Sequence, residues 1–405
     1  MPRNVVFFAP FPIEPVMRFV RAAAKLDDVR LLGVVHTPSA TESDLFHDLV
    51  RVTEPDDPQD LIDGVEVLRR RHGAPWRIVG TLEGMMVDLA RAREHFGVAG
   101  TPVKTATLVR EKARMKDALR AAGLPVARHR LVTGAREALA FAEEVGFPLV
   151  MKPPAGVGAR DTFRVNDPRE LTEGIARAEA SDGAPVLCEE MLRGREHSFE
   201  TITTGGAPRA WSTSRYVPGC LEVLENPWIQ WACVLPREVE GDLYDRAREV
   251  GFAAIRALGL DDGMTHMEWF ERDDGTLAIG EIAQRPPGPQ LCQMTGLVHD
   301  TDVYRAWARA VLDGEFDAPW ERKYAAACVF VRGVGRGVVT GSTGFDELRE
   351  ELGECVIETK VPRVGAKKIE SYEGDGFVVV RHASTARVWE MVRTIHRTVK
   401  VHYEG

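Results

Sequence analysis

No stretch of the 405 residues holds the roughly 18 consecutive apolar residues that a membrane-spanning helix needs. The opening Met1-Pro-Arg-Asn leads into Val5-Val-Phe-Phe-Ala9, a run of strand length rather than the long apolar core of a secretory signal, so a cytoplasmic location is the expectation. Positive charge is short as well. Lys and Arg number 52 against 61 Asp and Glu, and a net charge of -9 argues against a chain built to neutralise nucleic-acid phosphates, leaving only local basic pockets. Cysteine is sparse: the six, at 188, 220, 233, 292, 328 and 355, form no Cys-x-x-Cys pair and read as reduced, mostly buried thiols, with neither disulfides nor zinc expected. No Gly-Lys-Ser/Thr opens a helix, which excludes a Walker phosphate loop. Internal repeats and low-complexity tracts are absent too.

What is present is an ordinary globular composition, 44% hydrophobic, in a chain long enough for about two to four domains. Over the first hundred residues strand and helix patterns alternate: strand 5–9, helix 16–26, strand 29–35, an acidic helical stretch, strand 77–80, then helix 84–96 ended by Gly97. Such alternation predicts a parallel sheet covered by helices. A helix over 105–122, stopped by Gly123-Leu-Pro125, opens a second unit. From Arg130 the texture becomes α+β, with strands at 130–132, 148–152, 163–165, 186–189 and 198–203 and helices at 135–145 and 168–180. Beyond a hairpin and a helix at 302–312, the remainder reads as strands 325–332, 356–361 and 377–381 and a final helix 384–399.

The hairpin carries the first chemical signal. Gly263-Met-Thr-His-Met-Glu-Trp-Phe270 and Thr276-Leu-Ala-Ile-Gly-Glu-Ile-Ala-Gln-Arg-Pro-Pro-Gly288 flank a polar Asp-Gly turn, which predicts two antiparallel strands. Alternation puts His266 and Glu268 on one face of the first strand, and Glu281, Ala283 and Arg285 on one face of the second. Two carboxylates inside apolar strands call for a cation between them, most simply a divalent metal. A solvent-facing hairpin with charged outward residues fits the same pattern.

Two further segments are suited to a nucleotide. Pro148-Leu-Val-Met-Lys152-Pro-Pro-Ala-Gly156-Val-Gly158 is a strand ending in lysine before a small-residue loop, able to set an ammonium and main-chain N–H groups on phosphates, although taken alone a plain β-turn is the commoner explanation of such a segment. Leu187-Cys-Glu-Glu-Met-Leu192-Arg-Gly-Arg-Glu196 can offer a main-chain edge to a purine and a carboxylate to ribose hydroxyls. Charged residues beside a strand end are also commonly just solvated.

In order and spacing, Lys112, Lys152 before its glycine loop, Glu189 to Glu196, His266-x-Glu268 and Glu281 to Arg285 together resemble the ATP-grasp superfamily over nearly the whole chain. The resemblance implies an α/β and α+β architecture of four parts: a Rossmann-like domain over 1–103, two ATP-grasp subdomains over 104–195 and 196–322, and a β-rich lid over 323–405. It implies that Lys112 and Lys152 hold ATP phosphates under a loop with Gly156 and Gly158. In the run beginning at Glu189, Glu190 and Leu192 would meet adenine through the main chain, and Glu196 would bind ribose. Glu268 and Glu281 would hold Mg²⁺, with Mn²⁺ as the alternative, and Arg285 would stabilise the phosphoryl group in flight. His266 would line the substrate side, though a lone histidine is also read as a structural hydrogen-bonder. Glu83 opens a glutamate-helix-glycine run habitual in that family and is a candidate for facing substrate.

One position departs from the pattern. Family members usually read Glu-x-Asn-x-Arg, the asparagine helping to hold a second Mg²⁺, whereas this chain has Ala283 there and Gln284 on the opposite strand face. A weakened metal site, a water in place of the carboxamide, or a bulge in the strand are the three resolutions.

The resemblance is nearest to bacterial L-amino acid ligases, and it implies an enzyme that activates a carboxylate as an acyl phosphate and passes it to an amine. A carboxylase using bicarbonate and an ATP-binding scaffold without catalysis are the alternatives. Small-molecule acids and amines are the expected partners, with no nucleic acid, no membrane, and a homodimer as an assembly open to the chain. For substrate recognition, the loop read over 214–231 offers Arg215, Tyr216, Trp228 and Trp231, where arginine and aromatics suit a carboxylate-bearing apolar substrate and core packing is the plainer role of the tryptophans.

Overall fold

A computed structural model describes residues 2–37, 40–156, 161–181, 185–288 and 290–405. The N-terminal unit is a parallel sheet in the order β3-β2-β1-β4, with β1 Arg3–Phe8, β2 Val29–Val35, β3 Asp48–Arg51 and β4 Arg77–Gly80. Alternation in β1 explains its layers. Val5 and Phe7 face helix Glu14–Ala24, while Val6 and Phe8 face helices Pro58–His72 and Met86–Phe96. All four are buried, as a strand covered on both faces requires. Gly97 closes Met86–Phe96 in the left-handed conformation expected of a C-terminal glycine. The four-residue β3, half-buried and short, is an addition to the strands read from sequence.

The continuous helix expected over 105–122 is two helices, Val103–Arg110 and Lys112–Ala121, separated by Glu111 in an extended conformation. The break frees the Lys112 N–H to reach the Pro154 carbonyl at 3.0 Å, a tertiary bond that no Pro or Gly signals in the sequence. The second sheet is antiparallel, β5-β8-β6-β7, built from β5 His129–Val132, β6 Leu149–Lys152, β7 Phe163–Val165 and β8 Val186–Glu190. Helices Ala135–Val145 and Pro168–Ser181 cover it through Phe141, Leu171 and Ile175.

The largest sheet has eight strands in the order β13-β12-β9-β10-β11-β14-β17-β16. These are β9 Gly194–Thr204, β10 Ala207–Val217, β11 Trp231–Leu235, β12 Gly263–Arg272, β13 Leu277–Ala283, β14 Ala325–Val331, β16 Val356–Lys360 and β17 Gly376–His382; β15 Arg336–Thr343 pairs instead with β18 Lys400–Glu404. The β-rich C-terminal segment thus continues the sheet that carries the hairpin, with helix Thr385–Thr398 packed across β14 and β17. Residues 214–231, read as a loop, are the end of β10, helix Cys220–Glu225 and the start of β11.

The N-terminal unit is fastened by aromatic packing to helix Val303–Asp313, which lies against β9 and β12 of the large sheet. Phe19 meets Tyr304 and Trp307 edge-on, both at 4.9 Å between ring centroids, in pairs each worth about 0.5–1.5 kcal/mol beyond burial. Four cysteines, Cys188, Cys233, Cys292 and Cys328, are buried, as expected. Among the described residues no helix is long and apolar enough to cross a membrane.

Candidate active site

The hairpin forms as its turn chemistry predicts: Gly275 takes a positive φ of 79° and Asp274 Oδ1 accepts from the Thr276 N–H at 2.9 Å. Glu268 and Glu281 stand directly opposite one another in the β12–β13 register, and His266 stands opposite Ala283. Trp269 pairs with Ile279, so Gly280 is the extra residue of a β-bulge beside the two carboxylates. A Cβ on Gly280 would lie 3.3 Å from the Glu268 carbonyl and 3.2 Å from the Phe270 ring, which favours glycine there.

A bulge was one of three resolutions for the missing asparagine, but this one leaves Gln284 outside the site. Its amide donates to Thr101 Oγ1 and, at 3.2 Å, to the Asp262 carbonyl, on the side away from the carboxylates. Ala283 is buried and offers only a methyl group. Among the described residues no three metal-ligating side chains converge.

Three lysines surround the carboxylates. Lys112 leads its helix and pairs with Glu281, and its Nζ also lies 3.3 Å from the Gly156 carbonyl. Lys152, ending β6, pairs with Glu189 Oε2 at 2.9 Å. Lys116, fully buried, sits 3.2 Å from Glu189 Oε1 and donates to the Gly280 carbonyl, fixing the bulge. Burial alone would raise the Glu281 carboxyl, but Lys112 and Lys152 override it and bring its pKa to about 2. The same contest holds Glu189 low, with Lys116 and Lys152 outweighing its burial. Glu189 therefore acts as a counter-charge beneath two lysines.

Glu190 and Glu196 differ in what they present. The Glu190 side chain is taken up by the Arg128 N–H at 2.8 Å, Arg128 Nε at 3.0 Å and Arg272 at 3.1 Å, so the cavity wall through Glu190, Met191 and Leu192 is largely main chain and Met and Leu side chains. Glu196 Oε2 accepts from the Cys220 N–H at 2.8 Å, and burial together with the nearby Glu268 charge pushes its pKa up to about 8.

Arg285 donates through Nε to Glu83 Oε2 at 2.7 Å, and Glu83 Oε1 accepts from Arg110 at 3.2 Å. Arg110 in turn reaches the Gly156 carbonyl at 3.1 Å, so one chain of contacts runs from the N-terminal unit to the loop after β6. His266 Nδ1 lies 2.9 Å from Glu200 Oε1, while its Nε2 is 3.4 Å from the Tyr216 hydroxyl and 3.7 Å from Glu268 Oε1. Burial would lower this imidazole, and the two carboxylates reverse the effect and raise its pKa.

These groups line one cavity of about 430 Å³, within the range of small-molecule sites. Its wall includes Glu83, Lys112, Lys152, Gly156, Glu189, Glu190, Leu192, Glu196, His266, Glu268, Glu281 and Arg285, each singled out in the sequence. Gly158 lies outside the described residues. Arg215 and Trp228 are corrections. Strand alternation turns Tyr216 to the cavity and Arg215 away from it, where its guanidinium lies 5.6 Å from the Trp389 ring centroid. Trp228 is 59% exposed and is not on the wall, and the tryptophan that faces inward is Trp231, the first residue of β11.

Lys116, Glu200, Phe330 and Tyr372 were missed. Lys116 follows Lys112 by one helical turn and Glu200 follows Glu196 on one strand face, so periodicity held a signal for both. Tyr372 comes from a distant loop and had none.

Residues 111–201 match the family described as carbamoyl-phosphate synthase L chain, ATP binding domain. The chain is 27% identical over 223 residues to the L-arginine-specific L-amino acid ligase of Bacillus subtilis, a match covering 54% of this chain and 53% of that protein. It spans roughly half the length of the curated relatives it matches. Among solved structures, an L-amino acid ligase from Bacillus licheniformis superimposes with a TM-score of 0.82 at 18% identity, covering 100% of this chain and 99% of that one. N5-carboxyaminoimidazole ribonucleotide synthetase from Thermotoga maritima gives 0.73 at 17% identity, covering 99% and 100%. The matched segment contains Lys112, Lys152 and Glu196, the carboxylate hairpin follows it in the sheet, and the whole chain shares the fold of these structures, the ATP-grasp fold.

Proposed function

We propose that the protein is an ATP-dependent carboxylate-amine ligase that joins amino acids or similar acids into an amide, releasing ADP and phosphate. The observation that carries this reading is the direct opposition of Glu268 and Glu281 in a cavity ringed by Lys112, Lys152 and Arg285, with Lys116 buried behind them.

The donor set fits Mg²⁺. Two carboxylates facing one another are hard oxygen donors, and Mg²⁺ is commonly held by one or two carboxylates with nucleotide phosphates completing its shell. Glu268 and Glu281 would hold it, and when bound it would neutralise phosphate charge; Mn²⁺ suits the same donors. Lys112 and Lys152 bind phosphate oxygens, the main chain of Glu190 to Leu192 meets the adenine edge, and Glu196 accepts from ribose. Catalysis of phosphoryl transfer is mainly positioning and charge neutralisation, which these cations provide.

In the first half-reaction a substrate carboxylate oxygen attacks the γ-phosphorus, the bond to the β-phosphate oxygen breaks, and ADP and an acyl phosphate result. Arg285, oriented by Glu83, neutralises the group being transferred. In the second, an amine adds to the acyl carbon, Arg285 stabilises the oxyanion, and phosphate leaves as the amine gives up its proton. His266 lies on the substrate side, held by Glu200. ATP chemistry and reduced cysteines support a cytoplasmic setting.

The test is phosphate release by purified protein with ATP and MgCl₂, using amino acids singly and in pairs, with mass spectrometry of the product. Release that needs both an acid and an amine, with the amide detected, supports the ligase. A second reading, ATP-dependent carboxylation, draws on the likeness to a carboxyaminoimidazole ribonucleotide synthetase fold. Release that depends on bicarbonate and on no amino acid would favour it, and ATP binding with no release under any condition would leave a nucleotide-binding scaffold.

A further inference from the structure

The cavity has a second wall that ATP chemistry leaves unused. β11 contributes Trp231 and Cys233, β14 contributes Phe330, and helix Leu291–His299 contributes Leu291 and Met294, with Tyr372 arriving from the loop before β17. No cavity-lining residue from these three elements is charged.

The rings interlock around Trp231. It stacks on Phe330 at 4.9 Å and 23°, and meets Tyr372 at 4.6 Å and Tyr216 at 5.1 Å edge-on. The same side chains belong to one continuous apolar cluster with Leu291 and Met294, which holds the wall in shape. Tyr216 links it to the reacting end, since its hydroxyl lies 3.4 Å from His266 Nε2. Of the charged groups at that boundary, Arg285 is partnered by Glu83 and His266 by Glu200, while Glu268 and Glu196 stand at the end proposed for metal and nucleotide.

A substrate whose reacting carboxyl or amine lies near Arg285 and Glu268 must put its side chain somewhere, and this wall is the apolar surface beside them. Each methylene moved from water onto such a surface favours binding about fourfold, whereas an ammonium, guanidinium or carboxylate entering it would lose hydration without gaining a counter-charge. The geometry points to a side-chain pocket for an uncharged substrate of branched-aliphatic or aromatic size, with Trp231 as its specificity-determining residue. This rests on the ligase reading only in making the ligand an amino acid or a related acid.

Two measurements on the full chain test it. Isothermal titration of glycine, leucine, phenylalanine, arginine and glutamate, with MgCl₂ and a non-hydrolysable ATP analogue, reads the pocket whether or not turnover occurs. Leucine and phenylalanine are expected to bind at least about tenfold tighter than glycine, arginine or glutamate. Equal affinities, no binding by any of the five, or preference for a charged side chain or glycine overturns the proposal. Trp231→Leu is expected to cut the phenylalanine preference over glycine at least about fivefold. Since Trp231 is packed between strands, Tyr372→Ala, changing a half-buried loop residue, gives the same readout if the first variant does not fold. An unchanged preference in folded Trp231→Leu overturns Trp231's role, and an unchanged preference in folded Tyr372→Ala overturns the aromatic wall as the side-chain pocket. Selective binding without phosphate release under any substrate pair would instead sink the ligase reading while the pocket stands.

Discussion

Glu83 and Arg285, 202 residues apart in sequence, are joined by a 2.7 Å hydrogen bond from the guanidinium Nε to Oε2, so the N-terminal unit orients the arginine of the large sheet. Arg110 shares the same carboxylate. With Glu83→Ala, Arg285 keeps its charge and loses its aim. Because misplacement by about 1 Å costs roughly a hundredfold in rate, kcat/KM for the acid substrate is expected to fall about 10²-fold while the KM for ATP changes less than about threefold. Steady-state kinetics at saturating ATP checks this, and a loss confined to ATP affinity would assign Glu83 to the nucleotide instead.

The second prediction concerns the methyl group at Ala283. Ala283 pairs with His266, one residue pair beyond Glu281 on the carboxylate face, and Gln284 is held elsewhere by Thr101 and Asp262. Ligand number tunes divalent-ion affinity, so Ala283→Asn is expected to lower the half-saturating Mg²⁺ concentration at least about threefold, and Glu281→Gln to raise it by more. Titrating MgCl₂ in the phosphate-release assay distinguishes the two. An unchanged half-saturation in Ala283→Asn would mean that position 283 does not face the ion.

How much of this was legible follows from the kind of signal each residue leaves. The Asp-Gly turn made a hairpin with Glu268 and Glu281 on neighbouring strands legible, but counting from that turn sets Glu268 against Gly280, and it is the bulge at Gly280 that brings the two carboxylates opposite one another. Lys116 could have been found by helical period, but the helix was read as unbroken, and only the bond from Lys112 N–H to Pro154 shows why it divides at Glu111. Arg215 and Trp228 stand off the cavity wall, and a segment with the Pro, Gly and Asn content of 214–231 reads as loop, where alternation gives no guidance. Once β10 and β11 are recognised, Tyr216 and Trp231 are the inward residues. Tyr372 reaches the cavity from about 140 residues beyond Trp231, a placement set by β17 joining the large sheet, which no local pattern encodes.

Lys116 gives the third prediction. Its ammonium is fully buried against Glu189 Oε1 and the Gly280 carbonyl, and burial depresses its pKa despite the Glu189 charge. Lys116→Met keeps the aliphatic stem and removes the charge. Breaking a buried pair from one side is expected to cost about 3 kcal/mol, because Glu189 keeps only Lys152. Urea denaturation reads this directly, and a loss below about 0.5 kcal/mol would mean that Lys152 alone satisfies Glu189.

A fourth prediction lies away from the cavity, in a histidine held neutral by the fold. His299 is 1% exposed, stacks on Trp320 at 4.2 Å and 20°, and has Nδ1 2.9 Å from the Thr295 carbonyl. Burial, reinforced by the Arg322 charge, drives its pKa down to about 3. In the unfolded chain it titrates near about 6.5. As pH falls below that value the unfolded state binds a proton the folded state refuses, so stability falls with decreasing pH until the folded pKa is reached. His299→Asn keeps an amide N–H at the position of Nδ1 for the Thr295 carbonyl and removes the titration. It is expected to flatten the slope of unfolding free energy between about pH 6 and pH 4 by up to about 1.4 kcal/mol per pH unit. Parallel slopes for the two proteins in urea unfolding would show that His299 is protonated in the folded state.

The last prediction turns on Gly219, immediately before helix Cys220–Glu225. Its backbone is extended, with φ -62° and ψ 153°, so another residue could adopt the conformation without strain. Space is what demands glycine: a Cβ there would fall 2.7 Å from Glu196 Oε2, the atom that accepts from the Cys220 N–H. Glu196 is buried and bonded to this turn, so in Gly219→Ala its carboxylate must swing away, carrying with it the oxygens proposed to meet ribose. The backbone is otherwise untouched, and unfolding free energy is expected to change by less than about 1 kcal/mol. Losing a pair of hydrogen bonds to the nucleotide is worth about 1–3 kcal/mol, which predicts ATP affinity weakened roughly fivefold to a hundredfold. Calorimetric titration of ATP against wild type and variant measures the affinity, and urea denaturation of the two measures the stability. If affinity is unchanged while the variant remains folded, Glu196 does not contact the sugar, and its pKa near 8 would then mark a carboxyl held for the carboxylate hairpin rather than for the nucleotide.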